Sequence, residues 1–230
     1  MNIQRTPLYQ QLHPLIIFSS YLPHTSPDIK LSHTEYPPCL QVTMADKQIV
    51  PIDHSGCLSL YDVSIPTFLR GQHTLKHLLV TATKHAQVND ISLNEIPHWT
   101  LHPDMKPLTF QVQCASNTPK KFVDIITGQT GVAFADDETT IEQLIERCQH
   151  TIDFLNKVDK KTVDEAHLRF NTINLQLLAQ VYNMTPQHYV TKFAVPNFFF
   201  HLQTAYAIFR MKGVSIGKVD YLERFLQRDG

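Results

Sequence analysis

The stretch "DDETTIEQLIERCQHTIDFLN", residues 136–156, decides the fold. Ile141, Leu144, Ile145, Cys148, Ile152 and Leu155 return at steps of three and four, which places them on one face of a helix. Asp136 or Asp137 reads as its cap, and the Asp136-Asp137-Glu138 run suits the free N–H groups of a helix start. A helix with one apolar stripe must bury it against other elements.

Working outward, three more stripes of that period emerge. The first runs from about Leu60 to His85, with Phe68, Gln72, Leu75, Leu79 and Ala82 on one face. The second runs from about Pro103 to Thr127, with Asp104 in its first turn, Leu108, Val112, Ala115, Phe122 and Ile126 as its apolar members, and Gly128 closing it. Pro119 lies inside it and predicts a kink or a break. The fourth opens at Thr185-Pro186 and ends near Lys212-Gly213, with Pro196 predicting a kink. Between the third and fourth, "LRFNTINLQLLAQVYNM" (168–184) reads as a short β-hairpin, with an extra helical turn as the alternative. The fold predicted is mainly α: an up-down four-helix bundle with a short hairpin between helices three and four.

Residues 1–57 differ from the rest. They hold seven of the fourteen prolines and little hydrophobic periodicity, so a disordered extension is expected ahead of a bundle domain at 58–230. Met44-Ala45-Asp46-Lys47 looks like an ordinary protein start, which makes residues 1–43 an over-long gene product or else a genuine tail. One arginine and no acid in the first 27 residues is only a faint echo of a transit peptide.

Composition narrows the function. The 230 residues are 43% hydrophobic and 18% charged, with net charge −1. No basic field exists to neutralise phosphates, so nucleic acid is not an expected partner. No apolar run approaches the roughly 18 residues that span a bilayer, so neither is a membrane. Cys39, Cys57, Cys114 and Cys148 form no C-x-x-C or zinc-ribbon spacing, and unpaired thiols in a reducing, cytoplasmic setting are expected. Phosphate-loop, dinucleotide, nucleophile-elbow and H-E-x-x-H templates are absent. The "GVSIGKVDYL" segment (213–222) reads as a C-terminal turn docking Tyr221 and Leu222.

Of the thirteen histidines, His73 and His77 fall on a solvated face, His98 and His102 in a proline-bracketed loop, and His85 at a helix end. His201, in "FFFHLQTAYAIFR" (198–210), stands apart. With Asn197 four before and Thr204 three after, it draws a narrow polar line on an apolar helix. A buried imidazole needs a hydrogen-bond partner or a ligand. Helix two offers Gln111 and Gln113, near Asn117. Two readings stand side by side: a satisfied core histidine, and a small polar pocket inside the bundle.

Five stretches then carry a family resemblance: "LYDVSIPTFLRG" (60–71), "HPDMKPLTFQVQ" (102–113), "DDETTIEQL" (136–144), "FAVPNFFFHLQTAYAIFR" (193–210) and "GVSIGKVDYL" (213–222). In this order, over about residues 58–222, they resemble an uncharacterised domain-of-unknown-function family of the DinB/YfiT-like four-helix-bundle superfamily. The resemblance implies a DinB-like bundle, often a homodimer, and in several branches a metal held by three histidines in thiol-dependent transferases and hydrolases. Residue by residue, only His201 matches such a ligand position. Asn197 stands where those branches have a second histidine, and Thr118 where many bacterial members of the family have one. A three-histidine metal is therefore not expected, and the cofactor stays unknown, with a divalent metal as the rival. His201, Asn197, Gln111, Thr204 and Thr118 are the ligand-pocket candidates, and no catalytic residue is assigned. The functions implied are a small-molecule binder around His201 or a non-catalytic stress or interaction protein. The alternative is a divergent metal-dependent hydrolase or transferase.

Overall fold

Helix one opens at Ser59, whose hydroxyl accepts the Asp62 N–H while the Asp62 carboxylate accepts the Ser59 N–H, a reciprocal capping box. A computed structural model describes residues 58–128, 133–169, 172–177 and 179–226. The expectations for residues 1–57, including a start at Met44, lie outside these. Four long helices carry the fold: α1 (Leu60–Val88), α2 (Leu108–Thr127), α3 (Ile141–Leu155) and, late in the chain, α7 (Val195–Met211). Between α3 and α7 come the short α4 (Lys160–Asp164), α5 (Ala166–Arg169) and α6 (Pro186–Tyr189), with an antiparallel hairpin of β1 (Ile173–Leu177) and β2 (Gln180–Met184) before α6. The C-terminal α8 (Lys218–Leu226) lies on α1. Among the described residues no helix is long and apolar enough to cross a membrane.

The long helices pack as a square in which α1 and α2 each touch both α3 and α7, leaving α1 and α2 across the diagonal. Side-chain pairs give the directions. Lys76 reaches Gln149 near mid-helix while Tyr61 at the start of α1 meets Asp164 beyond the end of α3, so α1 and α3 are antiparallel. His201 meets Gln111 and Asn197 meets Thr118, so α2 and α7 are antiparallel too. Gly71 lies against Phe198 and His85 near Gly213, so α1 and α7 run the same way. Hence α2 and α3, consecutive among the long helices, are parallel, and residues 133–139 are the described part of the segment that returns to the start of α3.

Several local expectations are corrected. Helix two starts at Leu108, with Pro107 as its flanking residue, and Asp104 sits earlier in a turn where it pairs with His102. Thr140, not Asp136 or Asp137, caps α3, in a second capping box with Gln143. Pro119 does not break its helix. Pro119 is carried inside α2, where it cannot donate to the Ala115 carbonyl one turn earlier; Gln72 Nε2 of α1 donates to that carbonyl instead, at 2.8 Å. Pro196 is met by a π-helical turn at Val190–Ala194 that runs α6 into α7 without a gap. The segment after Gly213 is not only a turn: α8 forms, its Tyr221 ring against Tyr206 and Phe225, and its Asp220 beside His77 at 3.5 Å, so part of the face assigned to solvent is covered.

The core is knit by rings. Tyr189, Phe122, Phe68 and Phe198 succeed one another at centroid distances of 6.4, 5.6 and 5.2 Å, crossing from α6 through α2 and α1 to α7. Gly71 makes the last step fit, because a Cβ there would strike the Phe198 ring.

Candidate functional site

His201 reaches its place because α7 is apolar enough to be drawn into the bundle, carrying one imidazole to the α2–α7 seam. Its Nδ1 lies 2.8 Å from Gln111 Oε1. The Gln111 amide is oriented by Nε2, which donates to the Lys106 carbonyl at 3.0 Å, so its oxygen accepts and His201 Nδ1 carries the proton. Nε2 of His201 is then the acceptor, with no protein partner among the described residues. Phe110 and Phe200 present their rings edgewise to the imidazole at 6.0 and 5.1 Å, and both are themselves exposed. Burial holds the His201 pKa below the usual imidazole value, so the ring is neutral at pH 7.

One turn away, Asn197 Nδ2 donates to Thr118 Oγ1 at 2.8 Å, and Thr118 Oγ1 donates to the Cys114 carbonyl at 2.8 Å. Thr204 donates to the Phe200 carbonyl of its own helix. The five candidates thus lie along one seam as two cross-helix pairs and a helix-internal hydroxyl. Gln113 and Asn117 turn the other way, toward α3.

They turn toward Arg147, which sequence reasoning missed. Its side chain is 2% exposed. Nη2 donates to Asp136 at 2.6 Å and Asn117 at 2.9 Å, Nη1 to Glu138 at 2.5 Å, and Phe134 lies over the guanidinium at 4.6 Å. Asn117 and Gln113 donate in turn to Asp136 and Glu138. The carboxylates read as a helix cap are the counter-ions of a buried cation and tie the returning segment to α2 and α3. Burial pushes the Glu138 carboxyl up, but hydrogen bonds from Gln113 and Arg147 outweigh it and hold its pKa below the ordinary value. The available signal was position: Arg147 sits three after Leu144 and one before Cys148, on the shoulder of the apolar stripe. Phe134 also lines a groove of about 610 Å³ with Lys120, His150 and Phe154.

Neither region is arranged for familiar chemistry. Among the described residues no group of three or more His, Cys, Asp and Glu side chains is placed to hold a metal. At the seam the donor set is one imidazole, with the Thr118 hydroxyl and Asn197 amide bonded to each other, so a three-histidine metal does not fit these residues. Burial raises the Cys114 thiol and pushes Cys148 up to about 12, which removes both as nucleophiles at neutral pH.

Comparison with known proteins agrees with the architecture. The family model for a domain of unknown function, DUF1993, matches residues 60–222. Among solved structures, the crystal structure of a DinB family member from Shewanella denitrificans is 28% identical with a TM-score of 0.66, over 74% of this chain and 96% of that one. No curated protein matches the sequence. On a match that spans all four long helices and the hairpin, this chain belongs to the DUF1993 family and has a DinB-like fold.

Proposed function

We propose that this chain is a non-catalytic interaction protein whose buried polar residues set helix register. One observation carries the reading: across the α2–α7 seam the polar side chains pair with one another, His201 with Gln111 and Asn197 with Thr118. Two cross-helix pairs, one turn apart on α7 and about two turns apart on α2, fix both the offset and the rotation of α7 on α2, because a slip of either helix strands buried polar groups. With both described thiols unpaired, a reducing cytoplasmic setting suits the chain.

A second reading has its own support. The unpartnered Nε2 of His201, between Phe110 and Phe200, could accept a hydrogen bond from a small planar ligand. No observation favours the metal-dependent hydrolase or transferase.

His201→Ala separates them. On the register reading the variant loses about 1–3 kcal/mol in urea unfolding, from the stranded Gln111 oxygen and lost packing, and loses nothing else. Chemical-shift changes confined to His201, Phe110 and Phe200 in a fragment screen, abolished in the variant, would replace it with the ligand reading. About one transition metal per chain, kept through purification without chelators and lost in His201→Ala, would sink both.

A further inference from the structure

Beside the Arg147 hub, α2, α3 and the segment leading into α3 enclose the groove of about 610 Å³ that Phe134 lines. It is no part of the α2–α7 seam. At about 100° per residue, Lys120 lies half a turn round α2 from Gln111 and Thr118. On the other wall His150 and Phe154 stand four apart on α3, and Lys157 follows three further on, just past the helix end. The rings of Phe134 and Phe154, both half-buried, and the methyl groups of Ala133 and Ala135 make its interior apolar. Phe154 and Lys157 also line a second hollow of about 360 Å³ with Val123 and Val158, so the two adjoin.

The charges around the groove are uneven. Lys120, Lys157 and His150 line it against one acid, Asp153. Asp153 accepts a hydrogen bond from Gln149 Nε2 at 2.7 Å. Lys120 pairs with Asp124 at 3.1 Å, and His150 lies 3.6 Å from Glu146. Lys157 Nζ has no hydrogen-bond or ion-pair partner among the described residues. The cation still open to a countercharge therefore stands one turn from the Phe154 ring.

We propose that this groove binds a small aromatic carboxylate, its ring against Phe134 and Phe154 and its anionic group on Lys157. A cleft of this volume is the size that takes a small molecule, and an apolar interior with few polar groups sets its class. A cationic ligand would meet two lysines. A wholly apolar one would desolvate the Lys157 ammonium without replacing its hydration. A polyanion would need several open bases, and the groove offers one. A monoanion with a flat apolar body satisfies each wall. The inference goes beyond the reading of the α2–α7 seam and does not depend on it.

Two probes of one shape test it: 2-naphthoate and its neutral counterpart 2-naphthamide, each titrated into the full chain to about 2 mM, the range in which a fragment of this size binds. Amide chemical shifts should move at Phe134, Phe154 and Lys157 with 2-naphthoate, and the dissociation constant should be at least about five-fold weaker for 2-naphthamide. Lys157 is exposed and lies outside the helix, so Lys157→Gln should leave the urea midpoint unchanged. It should weaken 2-naphthoate by about five-fold and leave 2-naphthamide alone, and Lys157→Arg should restore the difference. No shifts at these three residues, equal binding of the two probes, or 2-naphthoate binding unchanged in Lys157→Gln would each overturn the proposal and leave the register reading to the His201→Ala experiment. Shifts at Phe110, Phe200 and His201 in place of the groove residues would overturn it too, and would favour a ligand at the seam.

Discussion

Arg147 is a buried cation held by two carboxylates. Taking a guanidinium out of water costs several kcal/mol, and it is tolerated only where bonds and opposite charge replace the lost hydration. Asp136, Glu138, Asn117 and the Phe134 ring supply that replacement, although Nε is left without a partner. Arg147→Met keeps most of the volume but leaves Glu138, 13% exposed, beside Asp136 without a cation. Urea unfolding should show a loss of about 3 kcal/mol with an unchanged slope, and a loss under about 1 kcal/mol would mean that the hub is only surface electrostatics. The acid response should change as well. Glu138 is depressed in the folded chain, so on acidification the unfolded chain takes up the proton first. Its stabilisation is complete above the ordinary glutamate value of 4.5 and fades as pH falls through the lower folded value. Without the guanidinium the depression shrinks, so the stability lost as pH falls below 4.5 should be smaller in Arg147→Met, which unfolding midpoints measured across the acid range would record.

At the scale of elements, Gln72 and Pro119 form a compensated pair. Pro119 frees the Ala115 carbonyl, and Gln72 Nε2 takes it while Gln72 Oε1 is buried without a partner. Gln72→Leu in the natural background strands the carbonyl and should cost about 1–3 kcal/mol. In a Pro119→Ala background the helix supplies its own N–H, and the same substitution should be close to neutral. A double-mutant cycle by urea unfolding should give a coupling of at least about 1 kcal/mol, and additive costs would remove Gln72 from this role. The pair also shows why some elements could be read from sequence and others not. Thr185-Pro186 opens a helix, and Gly128 and Gly213 close helices, through their own hydroxyl and dihedrals, so a few residues suffice to place them. The survival of α2 through Pro119 depends on a side chain 47 positions earlier, and no local rule reaches it. The capping box of α3 is a different case: Thr140 and Gln143 stand three apart in plain view, and the acidic run drew attention from them. His201 was legible as a buried imidazole because its helix is so apolar, and Gln111 was named among its partners. Arg147 was not, because its partners sit on α2 and the returning segment, which the sequence does not show to be adjacent.

The whole molecule depends on that returning segment. Parallel neighbours cannot be joined by a tight turn, and the Arg147 hub holds the described part of the connection, residues 133–139, at the end nearest α3. The other departure from simple alternation, the diagonal placement of α1 and α2, is bridged by residues 89–107, where a 3-10 turn at Leu93–His98 buries Ile96 and Trp99 packs beneath Lys212. Ile96 and Trp99 of this connection belong to the same core as the helices. Every member of the described apolar cluster lies between Leu60 and Ile216, and the aromatic ladder closes on α8 through Phe199, Phe225 and Tyr221. The described cluster lies wholly within residues 58–230. A chain of residues 58–230 should therefore unfold in one cooperative urea transition, with a free energy within about 0.5 kcal/mol of the 230-residue chain and an unchanged slope. A markedly smaller slope in the shorter chain would mean that the N-terminal residues bury surface in the folded state, and a lower midpoint that this surface supports the bundle. Equal midpoints and equal slopes would assign the whole of the cooperative unit to the DinB-like domain.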